Sequence, residues 1–167
     1  MIAKKSPELP KVQGDELAQG EEVGSMGSFK LTAETAQLLA DIGFLAVRRN
    51  RLNAAVLIFD ALRRFRPNAD YPVIGLALAA MSRGANDAAL TLLDTALAER
   101  PESSELLAFR GLALFLSEQR EQSREVCVDV LKKQADAQVV NLANTLCEEI
   151  DRGVSPLHPG WHKNIVL

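Results

Sequence analysis

Apolar residues recur through the middle of the chain at helical spacing, and breaks in the pattern divide it into seven stretches. The first follows Leu31, with Thr32 suited to cap a helix and Glu34 placed where a carboxylate complements the positive helix end. Leu38, Leu39, Ile42, Leu45 and Ala46 then follow the i, i+3, i+4, i+7 rule for a buried face, with Phe44 and Val47 on a second face. This predicts a helix to about Arg49. A second helix is expected from Leu52 through Ala55, Val56, Phe59 and Leu62, stopped by Pro67. Two more helices follow over 73–82 and 87–100, with a turn at Gly84 and a stop at Pro101. Another pair runs from Ser103 or Ser104 to about Glu118 and from Gln119 to Lys133. A last helix is expected over 137–152, with Val139, Val140, Leu142, Ala143, Leu146 and Ile150 inward, Glu148, Glu149, Asp151 and Arg152 outward, and Gly153 as its stop.

The stretches repeat. Gly43, Ala77 and Gly111 stand 34 residues apart, as do Pro67 and Pro101. Taking 36–69, 70–103 and 104–137 as units also aligns Leu39, Val73 and Leu107, and Ala55, Ala89 and Ser123. Phe59, Leu93 and Cys127 align as the larger residue of each second helix, and Asn50, Gly84 and Glu118 align at the turn. A period of 34 residues with a small residue at the helix crossing is that of the tetratricopeptide repeat. The expected fold class is therefore all-α: three helical hairpins stacked as a solenoid over 30–153, with 137–152 as a capping helix.

Composition agrees with close-packed helices. Of 167 residues, 47% are hydrophobic but only 5% aromatic, and Ala and Leu dominate. The net charge of -3 leaves no overall footprint for nucleic acid or an anionic membrane. Six arginines in the first unit, against Asp41 and Asp60, give 36–69 a balance of +4, yet no stacking aromatics interleave with them. They read as a solvated face, with an acidic protein surface as the alternative. No apolar run is long enough to insert into a membrane, and the N-terminus lacks the apolar middle of a secretory signal. Cys127 and Cys147 fall at apolar helical positions, where a free thiol acts as a small hydrophobe; a reducing, cytoplasmic setting is expected. Residues 1–29 hold little to bury and read as a flexible arm, while 154–167 form a tail in which Trp161, Ile165, Val166 and Leu167 are apolar enough to dock.

No catalytic constellation emerges. His158 and His162 are the two histidines, and they flank Pro159 and Gly160 in the tail without further metal ligands nearby. No phosphate loop, nucleophile elbow or zinc-protease helix is written in the chain. A non-enzymatic protein with no cofactor and no metal is expected.

In the tetratricopeptide fold the first helix of each hairpin lines a concave surface. Carried over by resemblance, the lining positions are Gln37, Ala40, Phe44 and Val47, then Tyr71, Ile74, Leu78 and Met81, then Glu105, Ala108, Leu112 and Phe115. All but Gln37 and Glu105 are apolar or aromatic. Left open, such a surface would aggregate, so it needs cover: a partner segment, the chain's own arm or tail, or a second copy. Otherwise some of these residues are ordinary core. The absence of Lys, Asn and Arg there excludes the clamp by which tetratricopeptide cochaperones grip acidic C-termini.

The run from Leu45 through Asn50, Leu52, Ala55, Phe59 and Leu62 to Pro67, with the apolar lining, resembles the small tetratricopeptide chaperones of bacterial type III secretion. That resemblance covers about 31–152. It implies a cytoplasmic chaperone holding an apolar segment of a secretion component in the groove. A self-associating scaffold or adaptor is the competing expectation.

Overall fold

The computed structural model describes residues 31–156 in full, and the backbone of 25–26 and 29–30. Two short strands, β1 (Ser25–Met26) and β2 (Phe29–Lys30), pair antiparallel with Ser25 opposite Lys30. The end of the arm therefore carries local pairing that the sequence pattern did not suggest. Seven helices follow among the described residues: α1 (Ala33–Arg48), α2 (Leu52–Phe65), α3 (Tyr71–Met81), α4 (Asn86–Glu99), α5 (Ser104–Leu116), α6 (Arg120–Lys132) and α7 (Ala137–Asp151). Each packs on the next in sequence. The odd-numbered helices also pack on one another, α1 on α3, α3 on α5 and α5 on α7.

Local chemistry accounts for the helix ends. The Thr32 hydroxyl accepts from the Thr35 N–H at 3.2 Å, and Leu31, just outside the helix, is buried with Ala36 in one apolar cluster, which fixes the chain's entry angle. Ser103 caps α5 by accepting from the Leu106 N–H at 3.1 Å. Within each hairpin the turn residue is left-handed: φ is 55° at Asn50, 75° at Gly84 and 60° at Glu118. The 34-residue alignment of these positions is thus a shared backbone conformation.

Close approach explains the small residues. A Cβ on Gly43 would lie 2.7 Å from Phe59 Cζ, and one on Gly111 would lie 2.8 Å from Cys127 Sγ. Gly75 presses on the same Phe59 ring from α3, so this phenyl group, fully buried, is held between two glycines. Ser123 stands where the other units have alanine, and its buried hydroxyl donates to the Gly111 carbonyl at 2.8 Å, leaving no donor unsatisfied.

Two features differ from the sequence reading. The face of α1 carrying Leu38, Ile42 and Leu45, expected to be buried, is exposed; the buried face is Ala36, Ala40 and Gly43. With apolar residues nearly all round α1, periodicity alone did not select the face, and the small side chains won because α2 and α3 approach closely. Glu149, expected on the polar outside of α7, is buried and accepts from Arg152 Nη1 at 3.1 Å.

Polar links tie successive units together at the same corner. Arg100 Nε lies 2.6 Å from Asp70 Oδ1 and Arg100 Nη1 donates to the Pro67 carbonyl at 3.2 Å. One unit later, Lys133 Nζ donates to Glu102 at 2.7 Å. Arg66 is the matching residue of the first unit, and its buried Nε and Nη2 have no hydrogen-bond partner among the described residues.

Candidate functional site

The inner surface of the stack is built from α1, α3 and α5. Of its ten expected apolar lining residues, Ala40, Ile74, Leu78, Met81, Ala108, Leu112 and Phe115 are all buried, none exposed by more than 8%. Phe44, Val47 and Tyr71 are half-buried. Ile74, Leu78, Met81, Ala108, Leu112 and Phe115 belong to one core cluster, against which Phe44 and Val47 pack from α1. An open apolar trough over all ten positions is therefore not what the described residues present. The physical reason lies in α3, which is apolar on every side and is packed on α1, α2, α4 and α5. Its inward side chains meet those of the neighbouring helices instead of solvent.

What stays accessible is a partial rim, Phe44 and Val47 toward the end of α1 and Tyr71 at the start of α3. The Phe44 ring packs on Phe59 at 4.9 Å between centroids, tilted by 58°, and Phe44 and Val47 touch both apolar clusters. Tyr71 opens α3 and packs on the cluster that holds Phe59 and Leu62; burial pushes its phenol up, with the Arg66 guanidinium pulling the other way. Of the two polar lining positions, Gln37 Nε2 donates to Asp41 at 3.0 Å on the exposed side of α1, and Glu105 is half-buried.

The other candidates distribute as follows. Arg63 and Arg64 both bind Asp60, at 2.9 and 3.1 Å, so they serve their own helix. Arg48, Arg49 and Arg51 are exposed at the α1–α2 turn without a carboxylate among the described residues. Both cysteines are free thiols. Burial pushes Cys127 up to about 12, so it stays protonated and unreactive at neutral pH; half-buried Cys147 is raised less far, chiefly by burial as well. His158 and His162 lie outside the described residues. Among the described residues no three His, Cys, Asp or Glu side chains come together as metal ligands, and no helix is long and apolar enough to cross a membrane. The feature missed by sequence reasoning is the exposed stripe Leu38, Ile42 and Leu45, beside a shallow hollow formed with Ala46, Arg49 and Arg51.

Antiparallel hairpins that stack with a left-handed turn and a small crossing residue every 34 positions make this an all-α solenoid of the tetratricopeptide type. Solved structures agree. The chain is similar to the Sgt2 TPR domain from Aspergillus fumigatus, with a TM-score of 0.55 and 20% identity over 76% of this chain and 87% of that one. It is also similar to a tetratricopeptide repeat protein from Parabacteroides merdae, with a TM-score of 0.52 and 19% identity over 72% of this chain. It spans about half of that protein, 47% of its length. No family model matches the chain, and no curated protein matches it.

Proposed function

We propose that the chain is a non-enzymatic protein-binding module, and more narrowly a cytoplasmic chaperone of bacterial type III secretion that shields an apolar segment of a secretion component. The broader half rests on the fold, whose repeats offer one continuous surface to another polypeptide. The observation that carries the site is that Phe44, Val47 and Tyr71 are the half-buried members of the expected lining, with Phe44 and Val47 packed on both apolar clusters and Tyr71 on one. A segment laid there would extend a core that already exists, gaining about 25 cal/mol per Å² of apolar area before ordering costs. The narrower half rests on the resemblance in size and motif.

The test is calorimetric titration with apolar segments of type III secretion components from the same organism. Val47→Glu and Tyr71→Glu are expected to weaken binding at least about tenfold while helicity by circular dichroism is kept. Tight binding unchanged by both substitutions would remove the rim as the site. No binding to any secretion segment would remove the secretion role and leave the broader one. A self-associating scaffold is the second reading, and the uncovered face of α1 favours it.

A further inference from the structure

Three of the four exposed large hydrophobic side chains among the described residues lie on the outer face of α1; the fourth, Leu57, stands on α2. Leu38, Ile42 and Leu45 are exposed by 59%, 45% and 51%, and their i, i+4, i+7 spacing makes a straight stripe along the helix. On the opposite end of the stack the corresponding position is filled by α7, which packs on α5 and α6. A helix laid along α1 would complete the first unit in the same way.

The charges around the stripe say which helix. Glu34 lies at its N-terminal end and Arg48 and Arg49 at its C-terminal end, all exposed and all without an ion-pair partner among the described residues. The helix dipole favours that polarity but leaves the stripe between the charges unexplained. The positions of Leu38 and Leu45 share their midpoint, between residues 41 and 42, with those of Glu34 and Arg49. An antiparallel partner with the same sequence that sets Leu38 against Leu45 therefore also sets Glu34 against Arg49, twice, with both Ile42 side chains beside the two-fold axis. Asp41, next to that axis, is already bound by Gln37 at 3.0 Å on the flank. The stripe is complementary to itself in its flanking leucines and in the charges at its two ends.

We propose that a second copy of this chain covers α1, by antiparallel α1–α1 packing about a two-fold axis. The surface lies apart from the rim of Phe44, Val47 and Tyr71, and the proposal stands without that reading. A single helix seam is below the usual area of a stable interface, so the dimer is weak, with Kd of about 10–100 μM.

Sedimentation equilibrium of the full chain, from about 5 μM to about 500 μM, measures this. The mass is expected to rise from the 18.2 kDa of one chain toward twice that value. Glu34→Arg and Arg49→Glu should each raise Kd about tenfold, because each turns two attractions into repulsions, and combining them should restore it to within about threefold. Ile42→Ser, on an exposed position that leaves the monomer fold intact by circular dichroism, should abolish association. A chain that stays monomeric throughout would overturn the proposal. So would a dimer indifferent to Ile42→Ser, which would lie on another face, or a double charge reversal as weak as the sum of the singles. If deletion of residues 1–24 turned a monomer into a dimer, the chain's own N-terminal segment would be the cover, and the proposal would again fail.

Discussion

The two ends of the stack are finished differently. At the C-terminal end α7 turns Val139, Leu142, Ala143 and Leu146 onto α5 and α6 and keeps Glu148, Asp151 and Arg152 in solvent. Arg124 on α6 bonds Asp151 at 3.0 Å across that junction. At the N-terminal end α1 buries alanines and a glycine and leaves Leu38, Ile42 and Leu45 outside, while the arginines near it lack carboxylates. A repeat buries its apolar face only through its neighbours, so an end must be closed by something unlike a repeat. Here one end carries its own closure, and at the other the apolar stripe of α1 is uncovered among the described residues.

The largest expected difference between the ends is in apolar truncation. Leu146 is fully buried at the closed end, and Leu146→Ala should cost about 3 kcal/mol, the transfer loss plus the cavity left behind. Leu45→Ala, at 51% exposure, should change the stability of the monomer by less than about 0.5 kcal/mol. Urea unfolding of dilute protein measures both. Equal losses would mean that α1 is as well covered in solution as α7 is, and the contrast between the ends would disappear.

The polar corner should separate the first unit from the second by a smaller amount. Arg100 is about four-fifths buried, ion-paired to Asp70 at 2.6 Å and hydrogen-bonded to Pro67. Removing it leaves Asp70 with the Ser103 hydroxyl at 2.6 Å as its remaining contact, so Arg100→Met should destabilise by about 1–2 kcal/mol. Arg66 holds the same place one unit earlier with two buried nitrogens unsatisfied, and Arg66→Met should be neutral or stabilise by up to about 1 kcal/mol. Thermal melts of the two variants would show opposite or unequal shifts. A loss at Arg66 as large as at Arg100 would mean that another group reaches this corner in solution.

Much of this was legible because repetition multiplies weak signals. The turns at Asn50, Gly84 and Glu118 and the crossings at Gly43 and Gly111 stood out by phase, and each now has a steric cause in a positive φ or a neighbour under 3 Å from a hypothetical Cβ. Burial was harder to read. Periodicity assigns residues to a face without fixing how near the facing helix lies, so Ile74, Leu78, Met81, Leu112 and Phe115 read as groove although they are core. The same gap exchanged the two sides of α1, where the alanine side wins by close approach. The corner residues Arg66, Arg100 and Lys133 recur at 34 and 33 residues, a signal present in the chain but hidden beneath the apolar pattern.

The smallest expected contrast lies in the turns of the first and last hairpins. Asn50 and Glu118 occupy the same left-handed position, with φ of 55° and 60°. Asparagine tolerates that region because its short side chain bonds locally, whereas glutamate meets the full clash of Cβ with the following carbonyl. Glu118→Gly should therefore stabilise by about 0.5–1 kcal/mol, less whatever the 3.4 Å contact from the Ser155 hydroxyl contributes. Asn50→Gly should change stability by only a few tenths of a kcal/mol. Differential melting resolves this as a shift of a few degrees for one variant and almost none for the other. If Glu118→Gly lowered the melting temperature, the Ser155 contact would outweigh the backbone strain. The closed end would then owe part of its stability to the chain just beyond α7, and the contrast with the open end would extend past the helices themselves.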